Sequence, residues 1–266
     1  MPPSEGGKRS AGGDARNPLV SNNVDTGIQK KDYLGKRLEP RIGDEDYLHL
    51  SDLLIALKEF ATEENLTILD YGCGGSPYRS LFPNSDYKRA DFGEMKDLDY
   101  VIGNDSRVDE EDGTFDLILS TQVAEHVTEP TVYFAECFRL LKNGGRVICT
   151  THGTYPDHGC PYDFQRWTAD GLARDLRNAG FEIERSLKLT TNARALMYLS
   201  QRFSGWFDSP SGISSGVFRI LRSTMHRRPK FWQKLADRAF GDNRVVGSET
   251  DGHEFYLGLI VSGLKS

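Results

Sequence analysis

The chain has 266 residues and a net charge of -6, with 33 basic and 39 acidic side chains intermixed. That length suits one large α/β domain with a sizeable core, and the charge argues against a nucleic-acid binder. The cysteines, Cys73, Cys137, Cys149 and Cys160, form neither a CxxC pair nor a disulfide framework, and no apolar run approaches the roughly 20 residues that span a bilayer or looks like a signal-peptide core, so the expected location is cytoplasmic.

Residues 1–40 read as a flexible N-terminal arm, because Met1 to about Lys31 is polar, rich in Gly, Ser and Asn, and without apolar periodicity. Residues 41–266 form the domain. Tyr47, Leu50, Leu53, Leu54, Leu57 and Phe60 recur at helical spacing, with Asp44 as the predicted N-cap and Asn65 at the exit; His49 on this helix reads as a core or solvated residue. Thr67 to Tyr71 is a buried strand that stops at Gly72, Gly74 and Gly75, the pattern of a strand entering a tight turn. Glycines there let backbone N–H groups approach a ligand, and Asp70 at the strand's end belongs to the carboxyl edge where open α/β sheets bind ligands.

A short helix closes at Ser80-Leu81-Phe82, and Asp86 to Asp91 reads as a second strand ending in an acid. An Asp roughly 20 residues past a glycine turn is placed to accept hydrogen bonds from ribose hydroxyls. Asp99 to Gly103 is a third strand, followed by Asn104 and Asp105, polar groups suited to an adenine edge. Phe115 to Ser120 is the fourth, most apolar strand, with Gln122, Glu125 and His126 beyond its carboxyl end. Thr128-Glu129-Pro130 opens a helix with a hydroxyl cap and a proline in the first turn; Asn143-Gly144-Gly145 ends it, and Arg146 to Thr151 is the fifth strand. A helix over Thr168 to Ala179 and a strand over Phe181 to Leu189 follow. This alternation argues for a parallel sheet with helices on both faces.

The ordered series of Asp70-Tyr71-Gly72-Cys73-Gly74, Asp91, Gly113 to Ile118, Glu125-His126 and Arg139 to Gly145 resembles the class I S-adenosylmethionine-dependent methyltransferases over about Glu45 to Leu189, with Phe255 to Gly263 as a last strand. The resemblance implies a Rossmann-like seven-stranded α/β sheet with its last strand antiparallel. It further implies S-adenosyl-L-methionine as cofactor, with Asp70, Gly72 and Gly74 at its methionine part, Asp91 at its ribose, Asn104 or Asp105 at its adenine and Gln122 near the sulfonium. Methyl transfer to a hydroxyl gains from a general base within hydrogen-bond reach; His152 on the loop after the fifth strand is the first candidate, followed by His158, Asp157 and His126, and Asp163 is also assigned a catalytic role; no metal ligands are assigned. The segment Tyr162-Asp163-Phe164-Gln165-Arg166-Trp167-Thr168 resembles one in a bacterial methyltransferase branch acting on sugars, surface-polysaccharide precursors and natural products. Tyr155, Arg166 and Trp167 are accordingly assigned to the substrate. Asp163 and Arg166 either clamp a polar substrate, Arg166 being suited to a carboxylate or phosphate, or pair with each other and fix the loop.

Residues 190–252 depart from the family pattern as a helical insertion. Residues 217–240 carry a basic amphipathic pair of segments divided by Pro229, which reads as a lid or homodimer surface, with peripheral membrane contact as the alternative. The expected function is methyl transfer to a small polar acceptor, a sugar or natural-product hydroxyl. The alternatives are a nicotinamide-dependent oxidoreductase, disfavoured by the incomplete G-x-G-x-x-G spacing, and a non-catalytic cofactor-binding scaffold.

Overall fold

The fold is organised by one strongly apolar strand pair at its centre. The structure, a computed structural model, describes residues 34–93, 95, 97–159, 162–204, 223–248 and 253–266. The strands are β1 (Thr67–Tyr71), β2 (Asp86–Asp91), β3 (Tyr100–Val101), β4 (Phe115–Thr121), β5 (Leu141–His152), β6 (Glu182–Thr191), β7 (Val245–Gly247) and β8 (Tyr256–Leu264). They form one eight-stranded sheet in the order β3-β2-β1-β4-β5-β8-β6-β7. β1 to β5 are mutually parallel, and β8 runs antiparallel to both β5 and β6. The residues of β1 and β4 read as almost continuous apolar runs because both faces of a parallel sheet are covered. The order reverses between β1 and β4, which opens a crevice at their carboxyl ends.

The expected seven strands are present in the expected directions, and β7 is the eighth. It is a three-residue edge strand within the insertion, paired antiparallel with Leu187 to Leu189 of β6. Its shortness limits the unpaired edge exposed to other chains.

Among the described residues the longer helices are α1 (Tyr47–Lys58), α2 (Pro130–Leu140), α3 (Ala169–Asn178), α4 (Asn192–Phe203) and α5 (Pro229–Ala239). α2 and α3 pack on one face, where Tyr71, Tyr133, Phe134, Trp167, Leu172, Leu176 and Val261 share a core. α1 covers the other with Leu53, Leu57, Tyr87, Leu117, Ile148 and Ile260. α3 shows why its sequence is a helix: Ala169, Leu172, Ala173 and Leu176 form its buried stripe, the Thr168 side chain accepts from Gly171 N, and Gly180 follows the end at φ 109°. Each fully buried leucine of that stripe contributes about 1.5–3 kcal/mol.

Boundaries differ from the sequence reading where local bonds compete. α1 begins after Asp46, because the Asp44 carboxylate accepts from Arg41 N in a preceding turn. α2 ends at Leu140, and Asn143-Gly144-Gly145 lies inside β5. Gly113 N and Thr114 N donate to Arg139 O and Leu140 O, drawing the chain into the sheet there.

The insertion is tied to α1 through polar groups. Gln233 of α5 accepts from Gly43 N at 2.6 Å and donates to Asp44 O at 2.8 Å, and Tyr47 donates to Asp237 at 2.7 Å. The buried side of α5 therefore runs through Gln233 and Ala236, whereas Leu235 is exposed. Residues 1–33 and 205–222, which hold most of the expected arm and the first basic segment, lie outside the described residues. Residues 34–38 are helical, and Leu34 fills the space that a Cβ on Gly75 would need, at 2.8 Å. Among the described residues no helix is long and apolar enough to cross a membrane.

Candidate active site

The carboxyl ends of β1, β2, β4 and β5 open into a cleft of about 970 Å³. At one end lies the glycine loop. Gly72 has φ 78°, and a Cβ there would meet the Val123 methyls at 2.6 and 2.7 Å, so this turn tolerates no side chain on two counts. Gly72 N and Cys73 N both donate to Ala90 O, and Gly74 N donates to Asp91 Oδ2 at 2.6 Å. Asp91 also accepts from Phe92 N at 2.7 Å, so this acid binds the tips of β1 and β2 together. Gly72, Gly74, Asp91, Asn104 and Asp105 all line the cleft. Asp70 does not: it lies beneath the loop, 2% exposed, and accepts a 2.8 Å hydrogen bond from the Tyr87 hydroxyl. Burial pushes its carboxyl up to about 7.

The opposite end is built from histidines. Gln122 sits at φ 55°, a strained conformation for a long side chain. Its N–H donates to the main-chain and side-chain oxygens of Thr150, at 2.9 and 3.0 Å. That turn brings its side-chain amide 3.0 Å from His49 Nε2 and 3.3 Å from His152 Nε2. His152 stacks on Tyr155 with ring centroids 3.9 Å apart, and the Tyr155 hydroxyl shares a 2.8 Å hydrogen bond with that of Tyr198 on α4. Burial lowers His49 to about 4 and holds His152 well below its ordinary value, so both imidazoles are neutral near pH 7. Behind them, Glu125 is fully buried; Thr151 donates to its Oε2 at 2.7 Å, and burial raises its carboxyl.

Of the predicted catalytic residues, His152 and His158 line the cleft with Tyr155, and Gln122 lies beside them. Asp163, Arg166 and Trp167 do not line it. Arg166 makes a bidentate pair with Asp163, at 2.5 and 2.6 Å, and donates to the carbonyls of Tyr155, Pro156 and Gln165. The same pairing holds the Asp163 carboxyl well below the usual range. Asp163 accepts from His158 N at 2.8 Å, so the pair fixes the loop rather than facing a ligand. Trp167 is buried in the core, its indole N–H donating to Asp175 at 2.9 Å. Their side chains are consumed by the structure, which removes the direct catalytic or substrate contacts expected of them.

Several cleft residues were not anticipated. His49 reaches the site from the first turn of α1, its Nε2 3.0 Å from the Gln122 amide and its ring centre 5.3 Å from that of His152, a placement that helical spacing does not reveal. Arg202 enters from α4, donating to Asp46 at 2.7 Å with its guanidinium 5.9 Å from the Tyr155 ring centre. Tyr162 and Phe164 line the mouth, 57% and 49% exposed. Glu125 had one legible signal: a carboxylate flanked by Val123, Ala124 and Val127 is an acid placed in a core.

Comparison with known proteins bears on this arrangement. Residues 69–149 match the family model described as a methyltransferase domain. A ubiquinone biosynthesis O-methyltransferase of Maricaulis maris is 32% identical over 104 residues, covering 33% of this chain and 41% of that protein. A Mycolicibacterium smegmatis protein named as an S-adenosylmethionine-dependent methyltransferase is 24% identical over 188 residues, covering 64% of this chain and 73% of its own. The chain thus spans about two fifths of the Maricaulis relative. In structure, a Thermotoga maritima SAM-dependent methyltransferase superposes with a TM-score of 0.52 at 15% identity, covering 90% of this chain and 96% of that one. A [4+2]-cyclase superposes at 0.51 with 17% identity, covering 90% and 92%. At such identities the likeness is one of fold.

Proposed function

Since the chain belongs to the class I S-adenosylmethionine-dependent methyltransferases, by its matched domain and its sheet, we propose that it methylates a hydroxyl of a small polar ring compound. The observation that carries this reading is the two-ended cleft: a glycine loop with an acid at one end and a neutral histidine cluster at the other. Asp91 at the tip of β2 would hold ribose hydroxyls, with Gly72 and Gly74 presenting backbone and Asn104 and Asp105 at the adenine side. Bound there, the cofactor supplies an electrophilic sulfonium methyl, and the remaining work is alignment of the acceptor and exclusion of water.

At the other end, Tyr155, Phe164 and Tyr162 offer faces for a ring, while Arg202 and Gln122 offer donors to its polar groups. The acceptor hydroxyl has to lose its proton, and the groups at hand are His152, His158 and Glu125. The O-methyltransferase name of the Maricaulis relative supports oxygen as the acceptor atom; sugar and phenolic hydroxyls both suit this wall.

Calorimetric titration tests the reading. S-adenosylmethionine and its demethylated product should bind with saturation, NAD should not, and Asp91→Ala should weaken binding by about tenfold or more, the loss of one or two hydrogen bonds from a charged group. Binding of NAD in their place would move the oxidoreductase reading forward. Transfer of labelled methyl to a panel of phenols and sugars then identifies the acceptor class.

A further inference from the structure

Four of the chain's histidines, His49, His126, His152 and His158, converge on one wall of the cleft. Three side chains there point at a common space. Glu125 Oε1 lies 3.3 Å from His152 Nε2 and 4.0 Å from His158 Nε2, and the three atoms all fall within 4.8 Å of one another. The carboxylate oxygen is fully buried and accepts no hydrogen bond. A buried carboxylate oxygen left without a donor is destabilising, and native structures rarely leave one without reason.

We propose that Glu125, His152 and His158 form a binding site for one divalent transition-metal ion of the zinc type, at the acceptor end of the cleft. Two imidazoles and one carboxylate are borderline donors that suit Zn²⁺, Co²⁺, Ni²⁺ or Fe²⁺, whereas Mg²⁺ and Ca²⁺ favour oxygen-only sets. Tetrahedral zinc with ligands at about 2.0–2.1 Å needs donors roughly 3.3 Å apart. The Glu125–His152 spacing already has that value, and His158, half-buried on the loop after β5, has to move inward to reach it.

The surrounding shell has the form that holds metal ligands. Metal-bound histidines commonly turn their other nitrogen to a carboxylate, and His158 Nδ1 faces Asp163 Oδ2 at 3.3 Å. Asp163 is itself pinned by Arg166, which gives this pair a purpose that its absence from the cleft lining did not suggest. Thr151 orients Glu125 through Oε2 and leaves Oε1 for the ion. Stacking on Tyr155 fixes the His152 ring. The Gln122 amide, also 3.3 Å from His152 Nε2, retains His49 as partner when the ion takes that lone pair. His126 is excluded as a ligand through Nδ1, which lies 2.6 Å from Tyr162 O. Glu125 stands behind two histidines that line the cleft, so the ion's free positions face the acceptor. Its role there, lowering the pKa of the acceptor hydroxyl, rests on the methyltransferase reading; the binding of the ion does not.

The test uses the full chain, free of any affinity tag and stripped with chelator. Zn²⁺ titration with metal analysis should give one ion per chain, and Co²⁺ should give the strong visible bands of a low-coordinate site. His158→Ala, on a partly exposed loop and so little threat to folding, should weaken Zn²⁺ binding at least about a hundredfold, more than the loss of an outer-shell partner alone. Glu125→Gln should do the same if it folds. Asp163→Asn should weaken binding by about tenfold, and exposed His226→Ala should leave it unchanged. No ion retained by the unaltered chain, or retention undiminished in His158→Ala, overturns the proposal. Calorimetry with S-adenosylhomocysteine on the same samples separates the two readings: binding of that ligand without metal leaves the methyltransferase assignment standing, and metal without that ligand leaves the ion site standing.

Discussion

Asp70 and Asp91 show how one residue type is given two physical states within a few ångströms of backbone. Asp91 ends β2 and Asp70 is the last residue but one of β1, and the resemblance assigns both to the cofactor. Asp91 is turned to the cleft, and its two oxygens accept from Gly74 N and Phe92 N. Asp70 is sealed under the loop with the Tyr87 hydroxyl, and burial raises it to about 7. Its unfolded value is near 3.9, so the folded state favours the protonated form. That contribution to stability is complete below about pH 4 and is lost as pH rises through about 7. The Asp70 contribution to the melting temperature of the ligand-free protein should therefore fall between about pH 4 and pH 7 and level off above about pH 8. Asp70→Asn keeps an acceptor for Tyr87 and has no proton to lose, so its melting temperature should fall less over the same range. Parallel curves for the two proteins would mean that Asp70 is ionised throughout. The positions of both acids were legible because strand ends and glycine turns are local patterns. Their different environments were not, since burial depends on which side of the loop each side chain takes.

The insertion illustrates the same division among elements. Of its helices, α5 was visible in the amphipathic segment after Pro229 whereas α4 was not, and the attachment of both is polar. Arg194 of α4, fully buried, donates to both oxygens of Asp52 on α1, at 2.7 and 2.9 Å, and to Asp237 of α5 at 3.0 Å. Arg244 bridges Asp52 and Asp237 from the segment before β7. These charges are up to 192 positions apart in the chain, so no periodicity could have joined them. Removing one partner of a buried pair leaves an uncompensated charge at a cost of about 3–5 kcal/mol. Arg194→Met should lose stability near the lower end of that range, because Arg244 and Thr190 still reach Asp52. Asp52→Asn combined with Arg194→Met should cost less than the two separate losses added together. Urea unfolding of the single and double variants reads this directly, and simple additivity would show that the pair does not act as a unit.

For the molecule as a whole, a parallel sheet with helices on both faces was legible because strands alternate with helices along the chain, and the family resemblance added the antiparallel last strand. The contents of the acceptor end were not, because they come from four places: the first turn of α1, the tip of β4, the loop after β5, and α4. Assembly from separate elements implies that the two ends of the cleft can be damaged independently. Leu34 occupies the space beside Gly75, and Lys36 and Arg37 line the cleft next to it, so Leu34→Asp should loosen the glycine loop and weaken S-adenosylhomocysteine binding by about tenfold, roughly the worth of one poorly accommodated buried side chain. Tyr155 lies at the far end, stacked on His152 and bonded to Tyr198. Tyr155→Ala should leave that affinity within about twofold while depressing methyl transfer to whichever phenol or sugar the unaltered chain accepts, through a raised KM. Equal loss of cofactor affinity in both variants would mean that the cleft closes as one unit, with α1 and α4 transmitting a change at the histidine wall to the loop between β1 and β2.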